Sequence, residues 1–239
     1  MEYIEGEFKE GHYHKCEEEM KKIQLGCIAD DFTGATDLGG ATRTVTTLVD
    51  VAFTNTVSNG NLVKDGTGAL TLSGNNSFSG GLTLNAGALR AGNDTAFGTG
   101  TVTLNAGRVS ANSAVARSLA NNLVLGADML LGSTTDTGAL TFSGDVDLGA
   151  ATRTLTIDSA VTVGGVISNG GLTKAGAGTL TFTADAKIDL VGNDPVLKLT
   201  ASNTGTNIFR ASLTDADIAA GNGIKTLTIE IGRASCRER

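Results

Sequence analysis

The chain has 239 residues with 33 Gly, 1 Pro, no Trp and 4% aromatic residues. Glycine far below one third with almost no proline excludes a collagen, and no apolar run reaches the roughly 18–20 residues of a membrane-spanning helix. A formal charge of −7 argues against a nucleic-acid partner held by phosphate contacts, and 18% charged with 40% hydrophobic residues argues against disorder.

The composition is uneven along the chain. Every Glu lies in residues 1–19 or at Glu230 and Glu238. The three Cys (Cys16, Cys27, Cys236), both His (His12, His14) and both Tyr (Tyr3, Tyr13) occupy the same two end pieces. Residues 38–229 contain no Glu, Cys, His, Tyr or Trp. One domain seldom partitions residue types this cleanly. Three pieces of different origin are therefore expected: 1–37, 38–229 and 230–239.

The first piece opens with a charged run through Glu17, Glu18 and Glu19 to Lys22. It reads as a short solvated helix or a tail. His12, His14 and Cys16 have metal-ligand character at strand spacing, but a zinc site wants a fourth ligand and a fixed frame, so a polar tail is the plainer reading. Ile23-Gln-Leu-Gly-Cys-Ile-Ala29 then reads as a buried strand. It ends in Asp30, Asp31 and a Gly34 turn, a good place for substrate contacts in an open α/β sheet.

Leu25-Gly-Cys-Ile-Ala-Asp-Asp-Phe-Thr-Gly-Ala-Thr-Asp-Leu38 resembles the opening of the four-carbon acid sugar kinase family. The resemblance implies ATP-dependent phosphorylation of a sugar acid, with Asp30 and Asp31 in the substrate site. It makes Met20 the natural start and residues 1–19 upstream sequence. It stops at Asp37 or Leu38. A first parallel strand needs neighbours and covering helices, and pieces below about 40 residues rarely fold alone. The expectation is a kinase-like scrap, not an independent domain, and too truncated for activity.

The middle piece repeats itself. Asp37-Leu-Gly-Gly-Ala-Thr-Arg-Thr-Val-Thr returns as Asp147-Leu-Gly-Ala-Ala-Thr-Arg-Thr-Leu-Thr. Ser58-Asn-Gly-Asn-Leu-Val-Lys-Asp-Gly-Thr-Gly-Ala-Leu-Thr71 returns at the same offset as Ser168-Asn-Gly-Gly-Leu-Thr-Lys-Ala-Gly-Ala-Gly-Thr-Leu-Thr181. This is an internal repeat. Because Asp37-Leu38 fits both the kinase-like motif and the repeat, the join is placed there.

A smaller unit runs through it: Leu70-Thr-Leu72, Leu82-Thr-Leu84, Val102-Thr-Leu104, Leu140-Thr-Phe142, Leu155-Thr-Ile157 and Leu180-Thr-Phe182. A period of two puts the apolar residues on one face and Thr on the other. Turn residues separate these strands, as at Ser73-Gly-Asn-Asn-Ser77, Asn85-Ala-Gly87 and Asn105-Ala-Gly107. Strands this short do not fold singly. The pattern predicts an all-β parallel solenoid, each coil pairing with the coils above and below. At roughly 20–30 residues per coil, residues 38–229 make about seven to nine coils.

Two stretches, Gly171-Leu-Thr-Lys-Ala-Gly-Ala-Gly-Thr-Leu-Thr181 and Leu72-Ser-Gly-Asn-Asn-Ser-Phe-Ser-Gly-Gly-Leu-Thr-Leu-Asn-Ala-Gly-Ala-Leu89, resemble the passenger-domain β-strand repeat of autotransporters. Gly98-Thr-Gly-Thr-Val-Thr-Leu-Asn-Ala-Gly107 extends the likeness. The family implies a right-handed parallel β-helix, secreted to the cell surface, structural or adhesive and non-catalytic. Its partners would be a host or neighbouring-cell surface, and the outer membrane through a C-terminal β-barrel. The lack of Cys in this piece suits export. No secretory signal opens the chain and no membrane barrel closes it, so export is not expected of the chain as written. Residues 183–229 match the repeat poorly and are read as further passenger coils.

The last piece, Glu230-Ile-Gly-Arg-Ala-Ser-Cys-Arg-Glu-Arg239, has no apolar period. It resembles one reading frame of a common short-read sequencing adapter, which makes it an adapter-derived tail and the whole a chimeric sequence.

Catalytic and cofactor motifs are not found. The sequence has no Gly-x-Ser-x-Gly elbow and no phosphate-binding Gly loop opening a helix. Residues 38–229 lack the His and Cys of a triad or thiolate zinc site. No cofactor, metal or catalytic residue is expected. Asp145-Val-Asp147 and Asp215-Ala-Asp217 could each aim two carboxylates at calcium, but solvated turns are the simpler reading. Asn75-Asn-Ser77 and Asn93-Asp-Thr95 are glycosylation sequons, meaningful only in a glycosylating host. Rows such as Thr42-x-Thr44 and Thr154-x-Thr156 leave a third reading, a surface-binding solenoid such as an ice-binding protein.

Overall fold

The computed structural model describes residues 42–183 and four later strands, Lys187–Asp189, Val196–Leu199, Ile208–Phe209 and Thr226–Ile229. All are β or irregular, with no helix among the described residues. The fold is a parallel β-solenoid of about seven turns.

The turns follow one another in chain order. The first holds β1 (Thr42–Thr46) and β2 (Val51–Phe53). The second holds β3 (Asn61–Asp65) and β4 (Ala69–Leu72), and the third β5 (Leu82–Leu84) and β6 (Ala88–Ala91). In the fourth, β7 (Val102–Leu104) and β8 (Arg108–Ala111) are joined by a third strand, β9 (Arg117–Leu119). The fifth repeats this with β10 (Leu123–Leu125), β11 (Met129–Leu131) and β12 (Leu140–Phe142). In the sixth, one long strand, β13 (Val146–Ile157), precedes β14 (Val161–Val163). The seventh is β15 (Val166–Ala175) and β16 (Leu180–Phe182). The later strands, β17 (Lys187–Asp189), β18 (Val196–Leu199), β19 (Ile208–Phe209) and β20 (Thr226–Ile229), extend the same ladders.

Every pairing is parallel, and every partner lies about one turn away. On the first face Leu62 pairs with Leu82, Leu82 with Val102, Val102 with Leu123 and Leu123 with Val146. On the second face Leu70 pairs with Leu89, Leu89 with Val109 and Val109 with Leu131. A third face begins at β9 and runs through β12, β14 and β16 to β19. All six short segments expected to be strands are strands.

Alternation decides which side chains enter. Each Leu-Thr-Leu triplet buries both Leu and leaves its Thr half-exposed, as at Leu82, Thr83 and Leu84. Stacking in register turns these residues into continuous aliphatic columns between the faces. Removing such area from water is the main favourable term in folding.

The third side of the early turns closes without a strand. There Asn76 adds to isolated backbone bonds between turns, such as Ser77 N–H to the Val57 carbonyl at 3.0 Å. Its Oδ1 accepts from the N–H of Val57 in the turn before at 2.7 Å, and its Nδ2 donates to the carbonyl of Ala96 in the turn after at 2.6 Å. Phe78 and Phe97 fill the space beneath, both fully buried. Asn121 does similar work two turns later, donating to the carbonyls of Gly98 at 3.1 Å and Gly100 at 2.8 Å in the turn before it.

The internal repeat does not fall into step with the turns. Residue 62 and its counterpart 172 are 110 positions apart. Leu62 lies on the first face. Leu172 pairs with Leu197 and Arg153, on strands that continue the second face. Likewise β4 belongs to the second face and its counterpart β16 to the third. One repeat unit therefore advances five turns and one face. The register shift between Asp147 and Ala151 marks the place where β13 passes from one face to the next, with Gly149 and Ala150 both at positive φ.

Candidate functional site

The two lysines between residues 42 and 183 are both completely buried. Lys64 is the last inward residue of β3, and Lys174 is an inward residue near the end of β15. In register with Lys64, Leu84 and Leu104 occupy the same inward position on later turns. The lysine stem lies in that apolar column and carries its ammonium to the corner, a buried form of snorkelling. Nζ donates to the carbonyls of Asp65 at 2.7 Å, Gly66 at 2.7 Å and Ala86 at 3.0 Å. Lys174 Nζ donates to the carbonyl of Gly176 at 2.6 Å.

The corners are shaped for this. Gly66 and Gly176 have φ of 76° and 79°, a conformation that carries little penalty only for glycine. Burial pushes both ammonium groups below the usual lysine range. At Lys64 the carboxylates of Asp65 and Asp50 work in the opposite direction.

Acidic groups serve the turns. Asp50 accepts from the N–H of Ala69 at 2.9 Å and from Arg90 at 2.7 Å. The N–H of Ala69 and then Arg90 hold its carboxyl below the usual carboxylate range. Asp94, Asp128 and Asp145 accept from the N–H groups of Ser118, Thr154 and Val166, each one turn on. Two arginines tie more distant turns. Arg90 reaches Asp50 and, at 3.5 Å, Asp136. Arg108 pairs with Asp158 at 2.7 Å and donates to the carbonyl of Gly132.

The residues expected from sequence to bear chemistry fare differently. Asp30, Asp31, His12, His14, Cys16, Asp215 and Asp217 lie outside the described residues. Asp145 and Asp147 act as backbone caps. Asp147 accepts from Gly149 N–H at 2.7 Å and from Asn169 Nδ2 at 2.8 Å. Among the described residues no group of His, Cys, Asp or Glu is arranged to hold a metal ion. Asn75 and Asn93 both accept from Thr95, closing a turn on the third side.

The threonine rows are not one plane. Thr42 and Thr44 are exposed on the first face, whereas Thr154 and Thr156 are half-buried on the second. The row continuing from Thr44 is Val63, Thr83, Thr103 and Val124. The third face carries Ser118, Thr141, Thr162 and Thr181 in register.

The buried lysines belong to no catalytic or metal-binding motif of the sequence. The signal was present: each follows an inward Leu by two positions, at Leu62-x-Lys64 and Leu172-x-Lys174, which forces the charge inward if the strand continues.

Residues 62–91 and 172–186 match the Passenger-associated-transport-repeat family. No curated protein and no solved structure matches the chain. Each matched stretch contains one of the lysine corners, so the two segments similar to this repeat have their corners in the parallel β-solenoid.

Proposed function

We propose that residues 38–229 are a fragment of a surface-exposed autotransporter passenger, structural or adhesive and without catalysis of its own. The observation that supports this reading is the pair of transport-repeat matches within one continuous stack of coils. A stack of this kind gives a rigid rod. Its outer rows of Thr, Ser and Val are mostly uncharged, which suits a stalk or a contact surface held away from a membrane. Its partners would be the outer membrane during export and a host or neighbouring cell afterwards. The right-handed sense of the coil belongs to the same reading.

Residues 1–37 and 230–239 are read as foreign pieces, and the sugar-acid site of Asp30 and Asp31 as a remnant without activity. ATP turnover with four-carbon sugar acids, lost in Asp30→Ala, would revive the kinase alternative.

The test places residues 38–229 between a secretory signal and an autotransporter membrane barrel. The passenger reading expects protease-sensitive display on intact cells and adhesion to cells or matrix above that of the barrel alone. Export without adhesion would leave a stalk. A chain stalled in the periplasm would count against the reading.

A further inference from the structure

Lys64 is the odd member of its column. Later turns place Leu84 and Leu104 at the same inward position. An ammonium there is tolerated because its surroundings are built to receive it. Asp65 and Gly66 turn their carbonyls toward Nζ from its own corner, and Ala86 does so from the next. An ammonium ion has three donors and no acceptor, so three carbonyls satisfy it completely. The neighbouring turn leaves room only by omission: a Cβ on Gly87 would stand 2.9 Å from Nζ.

The second lysine makes the feature general. Lys174 has the same local sequence, Leu-x-Lys-x-Gly, and the same left-handed glycine two positions on. Yet it closes the corner between the second and third faces, whereas Lys64 closes the one between the first and second. The two places share an ammonium that donates to the carbonyl of the left-handed glycine two positions on, Gly66 and Gly176. They do not share a face.

We propose that the carbonyls of Asp65, Gly66 and Ala86 form a binding site for a primary ammonium ion, filled by the chain's own Lys64, and that Lys174 fills a second site of the same kind. The ligand class is a small primary alkylammonium. A tetraalkylammonium lacks the donors, and a neutral alcohol offers one. The inference is independent of the passenger reading.

The full chain with Lys64→Ala tests it, because truncation leaves a cavity of the shape of the lost stem. Thermal unfolding is followed by far-ultraviolet circular dichroism. The variant is expected to melt below the parent chain. Addition of n-propylammonium, on the order of tens of millimolar, is expected to recover at least half of the lost melting temperature by binding the folded state. Equal n-propanol or tetramethylammonium is expected to recover little. Leu84→Ala, one turn along the same column, is expected to gain no more from the ammonium than from the alcohol. Equal recovery by ammonium and alcohol, or equal recovery of both variants, overturns the proposal. Lys64→Met keeps a stem of similar length and removes the three N–H donors together with the charge, leaving the carbonyls of Asp65, Gly66 and Ala86 without that partner, so it decides the matter if Lys64→Ala does not fold. A Lys64→Met chain melting as high as the parent overturns the proposal; a lower melting temperature upholds it.

Discussion

Lys64 and Lys174 occupy matching positions of the internal repeat but different corners of the solenoid. The corner is thus specified locally, by Lys-x-Gly and its carbonyls, while the face it joins is set by everything between the copies. A unit that advances five turns and one face presents its outward residues in a new direction each time it recurs. Similar inward residues on the faces make that rotation tolerable, because both copies of a strand meet an apolar column where they land.

The lysines give a pH dependence of definite sign. Burial lowers the folded pKa of both below the unfolded value. Between the lowered value and about 10.4 the unfolded chain then binds more protons, so stability rises with pH across that window. Urea midpoints should increase as pH rises toward about 10, and the increase should vanish in Lys64→Met, Lys174→Met. A midpoint that falls over this range in the parent, and not in the double variant, would mean that the carbonyl contacts outweigh desolvation.

Asn76 should be among the least replaceable polar residues. It joins three successive turns where no strand does so, and it is buried. Asn76→Ala strips partners from two backbone groups and should destabilise by about 2–4 kcal/mol. Thr83→Val, at a half-exposed outward position, should stay within about 0.5 kcal/mol. Denaturant titration of the two variants checks the contrast.

The arginine ties should differ in strength. The Arg108–Asp158 pair has side-chain exposures of 29% and 20%, while Asp50 beside Arg90 is 61% exposed. Exposed pairs contribute about 0–1 kcal/mol. Arg90→Met should therefore cost less than about 1 kcal/mol. Arg108→Met, which also abandons the carbonyl of Gly132, should cost about 1–3 kcal/mol. Unfolding at low and high salt should show the larger salt response for Arg90.

How much of this was legible in the sequence follows from what alternation encodes. Leu82-Thr-Leu84 and its relatives state both strand and facing, because Leu and Thr differ so much in their preference for water. Lys64 does not, since charge is ordinarily read as outward and only the position of Leu62 places it inside. The third side of the early turns was hidden for another reason. It is held by the amide of Asn76 and by Phe78 and Phe97, which follow no period. The long strand β13 was visible only at its end, Leu155-Thr-Ile157, because Gly149 and Ala150 shift its register midway. The rotation of the repeat was invisible, since a sequence offset counts residues and not faces.

A small apolar void lies between the fifth and seventh turns, lined by Leu125, Phe142, Leu148, Val163, Leu172 and Phe182 among others. It coincides with the turns where β13 and β15 cross from one face to the next. Val163→Ile adds one methylene toward it and should stabilise by up to about 1 kcal/mol. The same change at Val102, a fully buried site outside that lining, should be neutral or destabilising through overpacking. Paired melting curves decide between filling and overpacking.

The stacking itself is tested most directly by a distance. Thr44 and Ser168 lie in one outward row, joined through Val63, Thr83, Thr103, Val124 and Asp147. Six steps at about 4.8 Å put them about 29 Å apart along the axis. With Cys16, Cys27 and Cys236 changed to Ser, spin labels on Thr44→Cys and Ser168→Cys should give one narrow distance near that value. A broad distribution, or a separation that does not shorten by about one strand spacing when the second label moves to Asp147→Cys, would contradict a register-held solenoid.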